Sequence, residues 1–404
     1  MTGLDETARD MASAAFAQDP YPLYARLRRE RPVYQGAEGG WYLTRYADAD
    51  AALRDPRLSK DQERMRRWYA ARASGQDVGL LRDRFARSML HADPPAHTRL
   101  RKLAGKALSA RRVKALRPQV EAITNELLDA AVAAGPSMDV IAALAYPLPL
   151  AVICQLLGVP PHDHHRLGVW SRQLANQTKV VLAAEDVRRL EQAADELEDY
   201  LWDLIRKRRA EPSDDVVSAL ATAGTRDGQL TDEELVSTCY LLLVAGHQTT
   251  VNLIGNGVLA LLENPDQLRR VQQHPTLFRP AVEELLRYDS SVQAVTRIVV
   301  GQVQIGGQTL NDGELVSVML GAANRDPEWF TNPDRLDIGR PTNRHVSFGN
   351  GPHFCLGAPL ARLEIEVAIG QLVRRLPRLR LGTDTLQWRS KPALRGIQAL
   401  PVTY

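Results

Sequence analysis

Residues 348–357 read FGNGPHFCLG and lead directly into an amphipathic stretch, 358–376. The pattern places the thiol of Cys355 at a helix entrance, where unpaired backbone N–H groups and the helix dipole favour the thiolate. The glycines allow the backbone to pass close to a flat cofactor and to point amide hydrogens at the sulfur. This is the arrangement that a haem-binding thiolate requires.

The chain has three cysteines, Cys154, Cys239 and Cys355, which lie far apart in the sequence. They form no close pair of the kind that zinc or iron–sulfur sites use. Cys154 and Cys239 lie in the apolar runs AVICQLLGV and STCYLLLVAG, which are typical of small core residues. Any metal chemistry must therefore use one thiolate, that of Cys355.

The composition indicates a globular protein with enough apolar residues for a large core. Of the 404 residues, 44% are hydrophobic, and no repeat or Gly/Ser linker divides them, which favours a single domain over 1–404. Basic residues exceed acidic ones by only 51 to 48, which gives no support to nucleic-acid binding. The N-terminal segment resembles neither a signal peptide nor a membrane span, so a cytoplasmic protein is expected.

The spacing of apolar residues predicts a mostly helical chain. Helices are predicted over 115–134, 185–210, 232–263 and 358–376, and strand-like alternation occurs near 296–305 and 314–320. Residues 322–352 are rich in Asn, Asp, Pro, Arg and Gly and show little periodicity. They predict a long ordered loop that leads into the last major helix, and such loops often carry function.

The cysteine segment resembles the haem-binding signature of the cytochrome P450 family. The positions that match the signature are Phe348, Gly349, Gly351, His353, Cys355 and Gly357. The resemblance extends from Asp19-Pro20-Tyr21 to Ala399–Val402 and implies a mainly α fold with a minor β-sheet region, the triangular prism of that family. It also implies haem b, with Cys355 as the axial ligand, and looks closest to bacterial members that tailor natural products.

Two further motifs agree in order and spacing. Glu284 and Arg287 are three residues apart on a predicted helix and so share a face, although such a pair alone would indicate only a surface salt bridge. The family carries a Glu-x-x-Arg pair at this distance, which locks its helix to a meander. The segment 324–334, with Asn324-Arg325-Asp326-Pro327 and Pro333-Asp334, matches that meander.

Four residues match positions that bind the haem propionates in the family. His97 and Arg101 are four apart and project from one helical face, a geometry able to hold a carboxylate from one side. Arg297 and His353 correspond to two further propionate contacts. Without the resemblance, each of the four would be interpreted as a surface polar residue.

The apolar stretch LLLVAGHQTT, residues 241–250, is interrupted by Ala245 and Gly246, small residues that leave room over a haem. Thr249 matches the family's oxygen-activating threonine. The hydroxyl of that threonine can form a hydrogen bond with iron-bound oxygen or with the water molecules that deliver protons. The residue before it is usually acidic, and here it is Gln248. An amide can orient water but cannot supply a proton, so the usual acid–alcohol relay is in doubt.

The resemblance implies a monooxygenase, an oxidoreductase that incorporates molecular oxygen into a small molecule. No fused reductase is expected within these 404 residues, so a separate ferredoxin or flavodoxin with its reductase should supply the electrons. Basic residues that could steer an acidic partner are Arg101, Lys102, Arg111, Arg112 and Arg362. No membrane or nucleic-acid partner is expected, and the protein is expected to be a monomer.

Three alternatives remain open at this stage. A non-catalytic haem protein that senses or stores a ligand would keep Cys355 but would need neither Thr249 nor a redox partner. Gln248 also permits an enzyme in which the substrate radical escapes oxygen rebound and forms a C–C or C–N bond. A peroxide-driven enzyme is the third, and Thr249 argues mildly against it.

By analogy, the substrate pocket should draw on 65–90, 171–182, 291–295, 393–395 and the helix near 242–245. Apolar contacts are expected from Leu242, Val292, Val295 and Leu394, and stacking or hydrogen bonds from Trp68, Tyr69, Gln177 and Gln293. Such a lining suits a medium-to-large, partly apolar secondary metabolite, as in antibiotic biosynthesis. The same residues are equally compatible with ordinary core packing.

Overall fold

The computed structural model describes residues 2–71, 87–174, 184–222, 228–389 and 393–404. Helices dominate them, so the mainly α prediction is confirmed. The α-helices are α1 Thr2–Met11, α2 Ala14–Gln18, α3 Tyr21–Glu30, α4 Tyr46–Arg54, α5 Gln62–Ala70, α6 Ala96–Ala107, α7 Ala110–Ala115, α8 Arg117–Ala134, α9 Pro147–Leu157, α10 His164–Leu174, α11 Ala184–Ala210, α12 Val216–Ala221, α13 Asp232–Glu263, α14 Pro265–Gln273, α15 Phe278–Tyr288, α16 Leu320–Ala323 and α17 Ala358–Arg375. Shorter 3-10 turns cover Met89–His91, Pro161–Asp163, Pro275–Leu277 and Gly351–His353, and a π-helical turn covers Ile141–Ala145.

Short strands form three small sheets. The strands are β1 Val33–Gln35, β2 Trp41–Leu43, β3 Leu58–Ser59, β4 Ser137–Asp139, β5 Val295–Val299, β6 Val303–Ile305, β7 Gln308–Leu310, β8 Leu315–Val318, β9 Arg380–Leu381 and β10 Pro401–Thr403. The largest sheet has the order β1-β2-β8-β5-β3, the second has β4-β10-β9, and β6 pairs with β7. The β2–β8 pair is parallel and the others are antiparallel.

The chain divides into two compact units. Unit 1 comprises Met1–Ser59, Glu121–Tyr146 and Thr249–Tyr404, and it contains every strand of the described residues. Unit 2 comprises Lys60–Val120 and Pro147–Gln248, and the named elements of its described part are all helices. A single domain over 1–404 stays a prediction.

The five-stranded sheet places one candidate site residue. Strand β8 is buried along its whole length, as expected for a strand inside a sheet, and β5 pairs with it. In that register Arg297 lies opposite Val316, which is fully buried. The apolar core of the sheet therefore holds the Arg297 backbone in a fixed position.

Helix α13 has the limits that its apolar spacing predicts. A capping box begins it: the Thr231 hydroxyl accepts the Glu234 N–H at 3.2 Å, and the Glu234 carboxylate accepts the Thr231 N–H at 2.9 Å. Gly257 allows close packing on α17, because a Cβ atom there would lie 2.8 Å from Ile369 Cδ1. No helix in the described part of the chain is long and apolar enough to cross a membrane.

Candidate functional site

The cysteine loop, residues 346–357, is folded by its own backbone hydrogen bonds. The Cys355 N–H donates to the Phe348 carbonyl at 2.9 Å, and the Gly349 N–H donates to the Val346 carbonyl at 2.8 Å. Gly349 and Gly351 have φ angles of +70° and +67°, a region that glycine enters without steric cost. The glycines of the motif therefore determine the shape of the turn.

Packing against α4 also requires glycine at position 351. A Cβ atom on Gly351 would lie 2.6 Å from the Leu53 carbonyl oxygen and 3.1 Å from the Arg54 Cα atom. Both are backbone atoms, which cannot rotate away as a side chain can. The Asn350 side chain adds a hydrogen bond to Asp50 on the same helix. The loop is thus fastened to α4 just before the cysteine.

Cys355 lies between this turn and α17, at the helix entrance that the sequence predicts. Its side chain is half-buried, and a Cβ atom on Gly357 would lie 3.9 Å from its sulfur. Among the described residues, no group of three or more His, Cys, Asp or Glu side chains could hold a metal ion. The donor set therefore fits an iron whose other ligands come from a cofactor.

Unit 1 contains two of the predicted carboxylate-binding residues, Arg297 and His353. Arg297 is 3% exposed and donates to the Thr296 carbonyl at 2.9 Å. His353 ends the 3-10 turn that precedes Cys355 and is half-buried. The burial of Arg297 rules out the surface-polar interpretation for that residue, because a buried guanidinium is costly without acceptors.

Unit 2 contains the other two, His97 and Arg101. They lie on α6 four residues apart and so share a helix face, with His97 2% exposed and Arg101 half-buried. Burial is the largest of the effects that lower the pKa of His97, and the nearby Arg101 charge lowers it further. The Asp93 carboxylate acts in the opposite direction and raises this pKa. The imidazole is therefore neutral near pH 7 and suited to donate one N–H to an anion.

The middle of α13 carries the residues that the sequence predicts to act in catalysis, which are Ala245, Gly246, Gln248 and Thr249. Ala245 is exposed and Thr249, one turn later, is half-buried, so the two lie on one helix face. Gly246 lies between them in the sequence, and a Cβ atom added there would be in ordinary contact with Ile153 Cδ1, at 3.6 Å. Gln248 is 4% exposed, so its amide belongs to the protein interior and not to the surface.

Glu284 and Arg287 form a fully buried pair on α15, where both side chains are 0% exposed. The Arg287 Nε and one terminal guanidinium nitrogen each donate to a different carboxylate oxygen of Glu284, at 2.8 Å. Arg287 also donates to the carbonyls of Asn324 and Pro333 at 2.9 and 2.8 Å. The pair thus ties α15 to the irregular segment 324–345, and a surface salt bridge is excluded.

The structure brings two of the predicted pocket segments together. Val292 and Leu394 form an antiparallel bridge, and the Gln293 N–H donates to the Ala393 carbonyl at 2.9 Å. Val295 follows as the half-buried first residue of β5. The apolar wall predicted from 291–295 and 393–395 is therefore one continuous piece of unit 1.

The Gln293 side chain points into the scaffold. It is 2% exposed, and its amide donates to the Ser290 carbonyl at 2.6 Å. A Cβ atom on Gly321 would lie 2.1 Å from the Gln293 carboxamide oxygen, so glycine makes room for it. In this conformation the predicted hydrogen bond from Gln293 to a substrate is corrected to a contact within the protein.

The remaining pocket candidates belong to unit 2. Leu242 is buried on α13, and Trp68 on α5 is 6% exposed. Trp68 and Tyr69 contact each other edge to face, with ring centroids 5.0 Å apart. Gln177 lies outside the described residues.

Comparison with known proteins agrees with this geometry. A sequence model of the family described as Cytochrome P450 matches residues 171–381. The Vitamin D(3) 25-hydroxylase of Pseudonocardia autotrophica is 44% identical over 409 residues, which cover all of this chain and 97% of the relative. The chain belongs to the cytochrome P450 family.

Two further P450s extend the likeness. The 6-deoxyerythronolide B hydroxylase of Saccharopolyspora erythraea is 42% identical over 408 residues, 98% of each protein. The solved structure of the tirandamycin C-bound P450 monooxygenase TamI superposes with a TM-score of 0.85 at 41% identity, covering 97% of this chain and 98% of that one. The protein is therefore a haem-thiolate monooxygenase with the P450 fold, and the alternative of a non-catalytic sensor is set aside.

Sequence reasoning missed one buried acid of this P450, Glu364 on α17. The residue is 2% exposed and shares a hydrogen bond with Thr250, the neighbour of Thr249 on α13. Burial raises the pKa of Glu364 to about 8, although the hydrogen bond with Thr250 by itself lowers that pKa. The signal was present in the sequence, because helical spacing places Glu364 on the same face as the apolar residues Leu360, Val367 and Ala368.

Two basic residues proposed to steer a redox partner are already engaged in ion pairs. Arg362 forms two hydrogen bonds with Glu283, at 2.7 and 2.9 Å. Arg112 lies 2.6 Å from Asp214. Their charges are therefore partly neutralised within the protein, which weakens their assignment as docking residues.

Proposed function

We propose that this P450 oxidises a medium-to-large, partly apolar secondary metabolite, most simply by hydroxylation. The observation that carries the chemistry is the preformed loop that holds Cys355 at the entrance of α17. The substrate class is supported by the relatives, whose names specify vitamin D3, 6-deoxyerythronolide B and tirandamycin C. The bridged apolar residues Val292 and Leu394 suit such a molecule.

Haem b is the proposed cofactor, and the Cys355 thiolate would bind its iron. His97, Arg101, Arg297 and His353 would hold its two carboxylates, because all four are hydrogen-bond donors and at least two carry positive charge. When bound, the haem supplies oxygen binding and reductive O–O cleavage, which electron donation from the thiolate favours.

Proton delivery is assigned to a route that does not depend on an acid at position 248. Releasing one oxygen atom as water consumes protons, and Gln248 has none to give. Glu364 is a protonated acid at neutral pH, and its partner Thr250 adjoins Thr249 on α13. We assign Thr249 the orientation of a water molecule that would carry protons to the haem side of α13, and Glu364 the role of buried proton donor.

The redox partner is proposed to be a ferredoxin or flavodoxin with its reductase. A monomer is supported by the large apolar side chains exposed on the described surface, which come from separate elements and are not clustered in sequence; they are Val132, Val169, Trp329 and Phe354. A cytoplasmic location is supported by Cys154 and Cys239, which are buried free thiols.

A spectrum of the purified protein, reduced with dithionite under carbon monoxide, tests the ligand assignment. Thiolate ligation by Cys355 gives a strongly red-shifted Soret band, which Cys355→Ala should abolish. Titration of the ferric protein with macrolides, cyclic peptides, polyketides and vitamin D3 should reveal a ligand that shifts the iron from low to high spin. An unshifted Soret band in the wild type would overturn the proposal.

Oxidative coupling is the second candidate, and the interior amide of Gln248 is the observation that favours it. If the substrate radical escapes oxygen rebound, the product contains a new C–C or C–N bond and no added oxygen. Mass spectrometry of turnover under ¹⁸O₂ separates the two reactions, because hydroxylation incorporates the label and coupling does not.

A further inference from the structure

A cluster of four side chains lies in and beside the cysteine loop, and the proposed function assigns a role to none of these side chains. The Glu283 cluster consists of Glu283 on α15, His345 and Phe348 in the segment before Cys355, and Arg362 on α17. Arg362 donates from Nε and from a terminal nitrogen to the two oxygens of Glu283, at 2.7 and 2.9 Å. This is the bidentate geometry that gives an arginine–carboxylate pair its directionality.

His345 completes the binding of the carboxylate. Its Nδ1 accepts the Ser347 N–H at 3.2 Å, so the ring proton lies on Nε2, which donates to Glu283 at 3.1 Å. The His345 side chain is 3% exposed. Although desolvation would raise the pKa of Glu283, the hydrogen bonds from His345 and Arg362 hold it at about 2. The carboxylate therefore stays charged and holds Arg362 in place throughout the working pH range.

The orientation of Arg362 determines what lies beneath it. Its guanidinium carbon is 4.7 Å from the centroid of the Phe348 ring, a cation–π contact. The Phe348 carbonyl in turn accepts the Cys355 N–H at 2.9 Å. Glu283, Arg362, Phe348 and Cys355 thus form a continuous series of contacts that ends at the thiolate residue.

We infer that Arg362 is a positioning residue, which fixes Phe348 and through it the Cys355 thiolate, and that it is not a docking contact for the redox partner. The inference rests on the proposed role of Cys355 as the thiolate that would bind the haem iron. A lysine at position 362 would keep the charge that attracts an acidic partner. It would lose the guanidinium contact with the Phe348 ring and the bidentate bond to Glu283, because an ammonium is a compact point charge.

The test compares Arg362→Lys and Glu283→Gln with Arg111→Gln, which removes an exposed basic residue on α7. The readouts are the fraction of reduced, carbonmonoxy protein that keeps the red-shifted Soret band, the reduction potential, and the KM for a ferredoxin. We expect the first two variants to lose part of the red-shifted band and to shift the potential, with the ferredoxin KM unchanged. We expect Arg111→Gln to leave the spectrum and the potential unchanged.

A double-mutant cycle separates positioning from general stabilisation. In a Phe348→Leu background, Arg362→Lys should cause no further spectral change if Arg362 acts through the ring, whereas independent effects would add. Additive effects would overturn the inference. The inference would also be overturned if Arg362→Lys and Glu283→Gln both kept the wild-type spectrum and potential. A lowered ferredoxin KM in Glu283→Gln would overturn it too, because that variant unmasks the Arg362 charge and would show that the charge serves docking. If the wild type itself lacks the red-shifted band, the assignment of Cys355 fails instead.

Discussion

Two glutamates of this P450 are equally buried and chemically opposite. Glu284 on α15 is 0% exposed and contacts two guanidinium groups, those of Arg287 at 2.8 Å and Arg340 at 3.0 Å. Glu364 on α17 is 2% exposed, and its hydrogen-bond partner is the uncharged Thr250. Burial penalises a carboxylate in both places, but within the described part of the chain only Glu284 has positive charge at contact distance to compensate for the penalty.

The difference teaches that burial alone does not decide what an acid does. The Glu284 site fastens a helix to the irregular segment that leads to the cysteine loop, so its charge is structural. The Glu364 site holds an acid that can release and regain a proton near neutral pH, beside the helix that carries Thr249.

Glu284→Gln should cause the largest loss of stability. The change leaves the buried charge of Arg287 without its carboxylate, which typically costs about 3–5 kcal/mol. Urea unfolding should show a lower midpoint, and haem should be released at lower temperature than in the wild type. Glu126→Gln on α8, at an exposed position, is the control. Equal midpoints in the two variants would show that the pair does not hold this segment.

Glu364→Gln should leave the fold intact but impair catalysis. An amide keeps the shape and a hydrogen bond to Thr250 but cannot donate the proton that the relay needs. Loss of a general acid typically lowers a rate about 10²–10⁴-fold, although water can replace part of it. We expect less product per NADPH consumed, more peroxide, and a larger solvent isotope effect. Thr250→Val should reproduce the change, and unaltered coupling in both variants would remove Glu364 from the route.

The pH dependence of stability gives a third test, which needs no turnover. The pKa of Glu364 is raised from 4.5 to about 8 in the folded protein, so between these values the native state retains a proton that the unfolded chain has lost. The contribution of Glu364 to stability is therefore complete below pH 4.5 and is lost as the pH rises to 8. Relative to the wild type, Glu364→Gln should become steadily more stable across that window. A constant difference would contradict the assigned protonation state. The carboxylic-acid C=O band in infrared difference spectra provides an independent measurement.

Gln248→Glu should have the smallest effect. It restores an acid beside Thr249, yet Glu364 already supplies a proton in the proposed route. We expect a gain in coupling that is smaller than the loss in Glu364→Gln. In the Glu364→Gln background the same substitution should rescue coupling. If Gln248→Glu alone produces a large gain, then position 248 and not Glu364 limits proton delivery.

What the sequence predicted well is encoded in local spacing. The limits of α13 and α17, the turn before Cys355 and the shared face of Glu284 and Arg287 all follow from residues within a few positions of one another. The bond between Glu364 and Thr250, the pairing of Arg362 with Glu283 and the inward turn of Gln293 were not predicted. Each depends on packing between segments far apart in the chain, which one sequence does not reveal.

Because β2 pairs with β8, the five-stranded sheet cannot be completed until the chain has been synthesised past residue 318. Leu43 leaves the ribosome early, yet its sheet partner is Val318. At bacterial elongation rates of about 5–20 residues per second, on the order of tens of seconds separate the two. The β1–β2 hairpin must wait that long for β8, and until then the other edge of β2 is unpaired and open to other nascent chains. Slower translation of the middle of the gene would lengthen that wait, so codon choice between these strands should affect the yield of intact protein.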